Sequence, residues 1–126
     1  ALQRSRALSV LYITHDLGVV SQIADRVYVM YAGLIVEQGT VAHIFKDPRH
    51  PYTRALLASL SSRKKRGRRL YSIPGSVPHP AHKPPGCPFH PRCSMAVAAC
   101  REQHPDLCAF AHGHSARCPV AAGGWR

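Results

Sequence analysis

The sequence predicts an α/β fold over the first 60 or so residues, followed by a small irregular module rich in cysteine. Three observations support this prediction. Residues 8–14 form a nearly continuous apolar run, which is typical of a strand buried on both faces. Segments with helix-like and strand-like spacing then alternate up to residue 60. All five cysteines follow residue 86, in a stretch rich in proline and histidine. Because this stretch carries little apolar surface, we expect it to need cross-links or a bound metal for stability.

The elements after the apolar run are predicted from apolar spacing, turn residues and caps. In order, they are a helix over residues 17–24, strands over 26–31 and 34–39, a short helix from Thr40 to Phe45 and a helix over 52–60. Ala32-Gly33 between the strands indicates a hairpin. This set cannot cover both faces of a buried central strand, so we expect the chain to be the C-terminal part of something larger or to need a partner.

Composition limits the cellular compartment and the kinds of binding partner to be expected. The chain carries 17 Lys and Arg against 6 Asp and Glu, a formal charge of +11, which fits nucleic acid, an anionic membrane surface or an acidic protein. It has no run of about 18 apolar residues and no signal-peptide apolar region, so we expect neither a membrane span nor export. Reduced thiols in a cytoplasm are the resulting expectation.

A run of nearly pure positive charge covers residues 63–69. It fits a solvated linker, a contact with anionic lipid headgroups at the cytoplasmic leaflet, or a nucleic-acid site. The aromatic residues that a single-strand binder interleaves with its charges are missing, apart from Tyr71. We therefore expect no nucleic-acid partner. Residues 72–85 are rich in proline and predict an extended connector.

Four cysteines follow one another at spacings of five, six and seventeen intervening residues, namely Cys87, Cys93, Cys100 and Cys118. Cys108 lies between the last two. In a reducing compartment such a group indicates metal or cluster ligands before disulfides. Zinc suits four thiolates, and further histidines lie nearby: His90, His104, His112 and His114. No Cys-x-x-Cys pair is present, and spacing alone does not choose between metals.

Two longer motifs resemble a known family. Residues 10–20 (Val-Leu-Tyr-Ile-Thr-His-Asp-Leu-Gly-Val-Val) and 24–33 (Ala-Asp-Arg-Val-Tyr-Val-Met-Tyr-Ala-Gly) resemble the end of an ABC transporter ATP-binding subunit. Gly39, Ile44-Phe45 and residues 48–57 (Pro-Arg-His-Pro-Tyr-Thr-Arg-Ala-Leu-Leu) extend the match. Residues 73–75 (Ile-Pro-Gly) and 86–93 (Gly-Cys-Pro-Phe-His-Pro-Arg-Cys) are similar to the dipeptide/oligopeptide and nickel importer subfamily.

The resemblance implies the C-terminal fragment of a P-loop NTPase-type ABC nucleotide-binding domain over residues 1–62, a connector over 63–85 and a Cys-rich extension over 86–126. The whole protein would use ATP with Mg²⁺ to import di- and oligopeptides from the cytoplasmic face of the cell membrane. Its partners would be transmembrane permease subunits, a second ATP-binding subunit and, indirectly, a substrate-binding protein. The alternative hypothesis is a small basic zinc-binding module that recognises nucleic acid or a regulatory partner.

The resemblance also implies roles for particular residues. His15 matches the switch histidine that contacts the nucleotide γ-phosphate, where an imidazole stabilises developing charge; otherwise it is a strand-end histidine in a local turn. Asp16 would orient this loop or cap the next helix. The sequence lacks Gly-x-x-x-x-Gly-Lys-Ser/Thr, the family signature motif and the catalytic carboxylate. We therefore expect no ATPase activity from these 126 residues alone.

For the cysteines, the resemblance implies a [4Fe-4S] cluster on Cys87, Cys93, Cys100 and Cys118, with a structural role because the segment has little core of its own. Zinc remains the alternative. Cys108 has no counterpart in the family pattern, and is either a free thiol or a replacement for Cys118.

Overall fold

A computed structural model describes residues 7–63 and 72–125, without the side chains of residues 61–63. It contains short helices and a four-stranded antiparallel sheet with strand order β1-β2-β4-β3. The helices are α1 (Leu17–Ile23), α2 (Val41–Lys46), α3 (Pro51–Arg63) and α4 (Ala99–Glu102), with a 3-10 turn at His90–Arg92. The strands are β1 (Arg26–Tyr31), β2 (Leu34–Thr40), β3 (Cys108–Ala109) and β4 (Ser115–Ala116).

The predicted hairpin is confirmed as β1 and β2. Alternate residues of β1 are buried, so that Val27, Val29 and Tyr31 point into the core. The two-residue turn has φ 50° at Ala32 and 82° at Gly33. Positive φ at both positions belongs to the turn class whose twist matches that of the strands it joins. The local sequence therefore sets the turn, while the pairing register shifts by one residue between Val29 and Met30.

The three predicted helices are confirmed, and the first two begin at side-chain caps. The Asp16 carboxylate accepts the N–H groups of Gly18 and Val19 and starts α1, which confirms the capping role expected for it. Thr40 starts α2 in a reciprocal capping box with His43. α3 begins at Pro51, whose fixed φ suits a first helical position.

The strand predicted over residues 8–14 is absent from the structure. This segment has no regular secondary structure, and Leu11 and Ile13 are 82% and 94% exposed. A strand of a parallel sheet takes its backbone hydrogen bonds from neighbouring strands, and the described residues provide none beside this segment. The run therefore remains an unpaired, exposed apolar stretch here.

The Cys-rich tail shares its sheet with the hairpin. β4 pairs with β2, where Glu37 faces Ala116 and Gln38 faces Ser115, and β3 pairs with β4 in turn. Strands of two residues carry no periodic pattern, and the sequence did not predict them. The sheet is antiparallel throughout, whereas the apolar run predicted a parallel strand. The domain boundaries predicted after residues 62 and 85 remain predictions.

One hydrophobic core also joins the two parts. Phe89 of the tail is 2% exposed and packs edge-on against Tyr31 and Tyr52, with ring centroids 5.2 and 5.5 Å apart. The inward residues of β1, Val36 of β2 and Ile44 of α2 complete this core. The tail therefore draws much of its apolar contact from the first 60 residues rather than from its own.

The proline-rich segment after residue 72 forms bends and turns without a helix or strand. Arg92 holds this segment against β1, because its guanidinium donates to the carbonyls of Ile73 and Pro74 and to the Tyr31 hydroxyl. The basic run lies outside the described residues, apart from the backbone of Arg63. Within the described ranges, no helix is both long and apolar enough to cross a membrane.

Candidate metal-binding cavity

The four cysteines singled out by their spacing line a single cavity. Cys87, Cys93, Cys100 and Cys118 line one small cavity that is partly open to solvent. Most of the other lining residues are apolar or aromatic, and they include Phe89, Met95 and Trp125. Cys108 is not among the lining residues. The fold thus brings together thiols that lie up to 31 positions apart in the chain.

A glycine brings the first and third thiols together. The Cys87 N–H donates to the Cys100 carbonyl over 2.8 Å, which pins the start of the motif against α4. At Gly86, φ is +66°, and a Cβ there would lie only 2.5 Å from the same carbonyl oxygen. Only glycine meets both conditions, because it tolerates positive φ and adds no side chain.

Different elements position the second and fourth thiols. Cys93 ends the 3-10 turn, where its N–H donates to the His90 carbonyl. Cys118 follows β4, beside Arg117. The Arg117 backbone N–H donates to the Val36 carbonyl, and its guanidinium donates to those of Ile35 and Pro105. β2 therefore holds the fourth thiol in place.

Burial governs the protonation of three of the cavity thiols. It raises the pKa of Cys87 and Cys118 and raises that of Cys93 to about 11, and the neighbouring thiols add to each increase. Cys87, Cys93 and Cys118 are therefore protonated at neutral pH unless a positive centre enters among them. A bound metal supplies that charge and displaces the protons.

The cavity does not have the geometry of a single-ion site. Across residues 7–63 and 72–125, no three His, Cys, Asp or Glu side chains are grouped closely enough to hold a metal ion. Thiolates around tetrahedral zinc would lie about 3.8 Å apart, given Zn–S distances of about 2.3 Å. The four thiols share one cavity, but they are not grouped as closely as the ligands of one ion.

Two histidines also line the cavity, and only one of them was a candidate from the sequence. His90 is among the candidate zinc ligands, whereas His50 enters the sequence analysis only within the family motif of residues 48–57. His50 is 1% exposed, and burial lowers its pKa to about 4. The His-Pro-Tyr segment was the signal that could have identified it. The other zinc candidates, His104, His112 and His114, do not line the cavity.

A buried carboxylate that the sequence analysis did not single out organises the surroundings. Glu37 is fully buried in β2 and accepts the backbone N–H groups of Arg49 and His50 over 2.7 and 3.0 Å. Its third partner is Nε2 of His114, 2.7 Å away. A glutamate directly after the apolar Leu34-Ile35-Val36 run was the available signal. It ties β2 to the segment before α3 and to the tail.

His15, the candidate nucleotide contact, lies away from this cavity. It is exposed, in the segment immediately before the Asp16 cap of α1. Asp16 is held by its own N–H, which donates to the Thr14 hydroxyl over 3.0 Å. The structure therefore leaves the His15 imidazole accessible and does not bring it to the cysteines.

The fold and cavity define a small α/β protein region with an antiparallel sheet and a four-thiol cavity. Comparison with known proteins identifies the family of this region. Residues 36–100 match the family described as the oligopeptide/dipeptide transporter C-terminal region. That match covers more than half of the chain, and the chain belongs to this family, as the resemblance predicted.

Curated relatives carry consistent names. A Brucella ovis protein named as a peptide import ATP-binding protein is 49% identical over 123 residues, covering 93% of this chain and 36% of the relative. A similarly named Brucella abortus protein is 46% identical over 118 residues, covering 94% of this chain and 35% of the relative. The chain thus spans little more than a third of the length of these relatives.

Proposed function

We propose that this chain is the C-terminal part of an ATP-binding subunit that couples ATP hydrolysis to the import of di- and oligopeptides. The family match and the names of the relatives support this proposal. The alternative, a zinc module that binds nucleic acid, is not favoured because the chain belongs to a transporter family. The phosphate-binding loop and the catalytic carboxylate would lie in the part of the subunit that corresponds to the region of the relatives outside this match.

The exposed apolar stretch supports the same proposal. Leu11 and Ile13 are almost fully exposed, which is costly for an isolated segment but suits a strand that completes a larger sheet. His15 would then stand at the carboxyl end of that strand, where α/β sheets bind ligands. Its role would be that of the switch histidine at the γ-phosphate of ATP bound with Mg²⁺. Permease subunits, a second ATP-binding subunit and, indirectly, a substrate-binding protein would be the partners, at the cytoplasmic face of the membrane.

Replacement of His15 in the full-length subunit tests this role. We expect His15→Ala to abolish ATP-driven peptide uptake in vesicles while nucleotide still binds, because the rest of the site holds the phosphates. His104→Ala, which changes an exposed histidine that does not line the cavity, is the matched control. Uptake at the control rate in His15→Ala would contradict the assignment.

We further propose that Cys87, Cys93, Cys100 and Cys118 hold a [4Fe-4S] cluster. The observation that carries this proposal is that the four thiols selected by spacing line one cavity while Cys108 does not. Four thiolates are the usual ligand set of such a cluster, and the four cysteines supply that set; zinc is the alternative occupant. When bound, it would supply four iron–thiolate bonds that hold together a tail with little apolar surface.

Metal analysis of anaerobically purified protein tests the cluster directly. We expect iron and acid-labile sulfide in equal amounts, about four of each per chain, with the visible absorbance of an iron–sulfur centre. Stoichiometric zinc without iron would contradict this proposal, and so would ordered protein that contains neither metal. The His15 experiment does not depend on this result.

A further inference from the structure

The two histidines that line the cavity make opposite hydrogen bonds through Nδ1. Nδ1 of His50 lies 3.1 Å from the backbone N–H of Tyr52 and accepts from it. Nδ1 of His90 lies 3.0 Å from the Cys87 carbonyl and must donate, because a carbonyl only accepts. A neutral imidazole carries one N–H. Neutral His50 therefore bears its proton on Nε2, whereas neutral His90 leaves Nε2 bare.

The surroundings of His50 hold its ring in place. Its backbone N–H donates to Glu37, and its Nδ1 caps the first turn of α3 beyond Pro51. The ring packs 5.8 Å from the Phe89 ring and is almost completely buried. Because its backbone N–H and its Nδ1 are both hydrogen-bonded, the imidazole has little freedom to turn away from the cavity that it lines.

We propose that His50 donates its Nε2–H to a sulfur of the inorganic group in the cavity and thereby sets the reduction potential of that group. This inference rests on the proposed cluster. Sulfurs of an iron–sulfur centre carry negative charge and accept hydrogen bonds, and such bonds are among the factors that set cluster potentials. The reduced state carries one more electron, so the donor stabilises it more strongly and raises the potential.

The same residue links the cavity to the rest of the fold. Through its backbone N–H and Glu37, His50 is connected to β2 and to His114. The His-Pro-Tyr segment thus combines a helix cap, a contact with a buried carboxylate and a donor to the cavity. His50 is a positioning and tuning residue in this arrangement, and it is not a metal ligand.

A matched pair of variants tests the donor. In His50→Asn the shorter side chain retains an acceptor for the Tyr52 N–H, and in His90→Asn it retains a donor for the Cys87 carbonyl. Both variants lose the imidazole Nε2. In anaerobic dye-mediated titrations we expect a lower midpoint potential in His50→Asn and an unchanged one in His90→Asn. Equal shifts in the two variants, or an unchanged potential in His50→Asn, would overturn the inference.

A second measurement does not need the variant to retain iron. In unmutated protein grown with ¹⁵N-labelled histidine, we expect magnetic resonance of the reduced cluster to detect a histidine nitrogen coupled through the hydrogen bond. Absence of that coupling would overturn the inference even if His50→Asn failed to assemble. Unmutated protein that contains no iron would instead refute the proposed cluster, and the inference with it, so the two failures are distinguishable.

Discussion

The Glu37 carboxylate and the His114 imidazole lie 2.7 Å apart in a buried contact between residues that are 77 positions apart in the chain. Glu37 is fully buried and His114 is 3% exposed. The His43 ring stacks on His114 with centroids 4.9 Å apart, so α2 closes over the same contact. This contact holds the last third of the chain against the hairpin.

Removal of the carboxylate should destabilise the protein strongly. Glu37→Ala leaves the N–H groups of Arg49 and His50 and the ring of His114 without their acceptor. We expect the free energy of unfolding in urea to fall by about 3–5 kcal/mol, since breaking a buried polar pair costs this much. Glu102→Ala removes an exposed carboxylate and serves as control. A loss no larger than in the control would show that the network is not needed.

The buried His50 should make stability depend on pH. Burial lowers its pKa from 6.5 to about 4. Between these values the unfolded chain binds a proton that the folded protein does not. The stability present above pH 6.5 therefore falls as pH drops toward 4, by up to about 1.4 kcal/mol per pH unit.

Urea unfolding at pH 7, 6 and 5, with the same metal content throughout, measures this dependence. We expect the curve of His50→Asn to be flatter than that of the unmutated protein. His104→Asn, which changes an exposed histidine, should retain the original slope. Parallel curves for His50→Asn and unmutated protein would contradict the prediction.

Gly86 should tolerate no side chain because a Cβ there would clash with its surroundings. Gly123 is the control for backbone strain, since it has positive φ without such a clash. φ is +66° at Gly86 and +78° at Gly123, so alanine is strained at both positions. Only at Gly86 would the new Cβ meet the Cys100 carbonyl, because nothing lies within 4 Å of a Cβ at Gly123.

We expect Gly86→Ala to lower the free energy of unfolding by at least about 2 kcal/mol more than Gly123→Ala, and to lower metal content as Cys87 and Cys100 are pushed apart. Urea unfolding and iron analysis of the two variants provide the comparison. Similar losses in both variants would mean that the close approach is unimportant.

The two last cysteines should differ in their effect on metal content. Cys118 lines the cavity, whereas Cys108 lies in β3 and is absent from the lining. We expect Cys118→Ser to lose most of its iron and Cys108→Ser to retain the iron content of unmutated protein, because only the first replaces a thiolate ligand. The opposite result would assign the fourth ligand to Cys108.

Local signals account for what could be predicted from the sequence. The Asp16 and Thr40 caps, the Ala32-Gly33 turn and the alternation in β1 act over a few residues, and the corresponding elements formed as expected. The strand over residues 8–14 did not form, because a central strand depends on neighbours that the described chain does not provide.

The sequence by itself determined the helices, the hairpin, the membership in a transporter family and the identity of the four spaced cysteines. Only the tertiary structure decided that these four thiols share a cavity without Cys108, that Glu37 is buried against His114, and that His50 lines the same cavity. The physical reason is range. Caps and turns are complete within a few residues, whereas a cavity or a buried hydrogen bond exists only once distant segments have packed together.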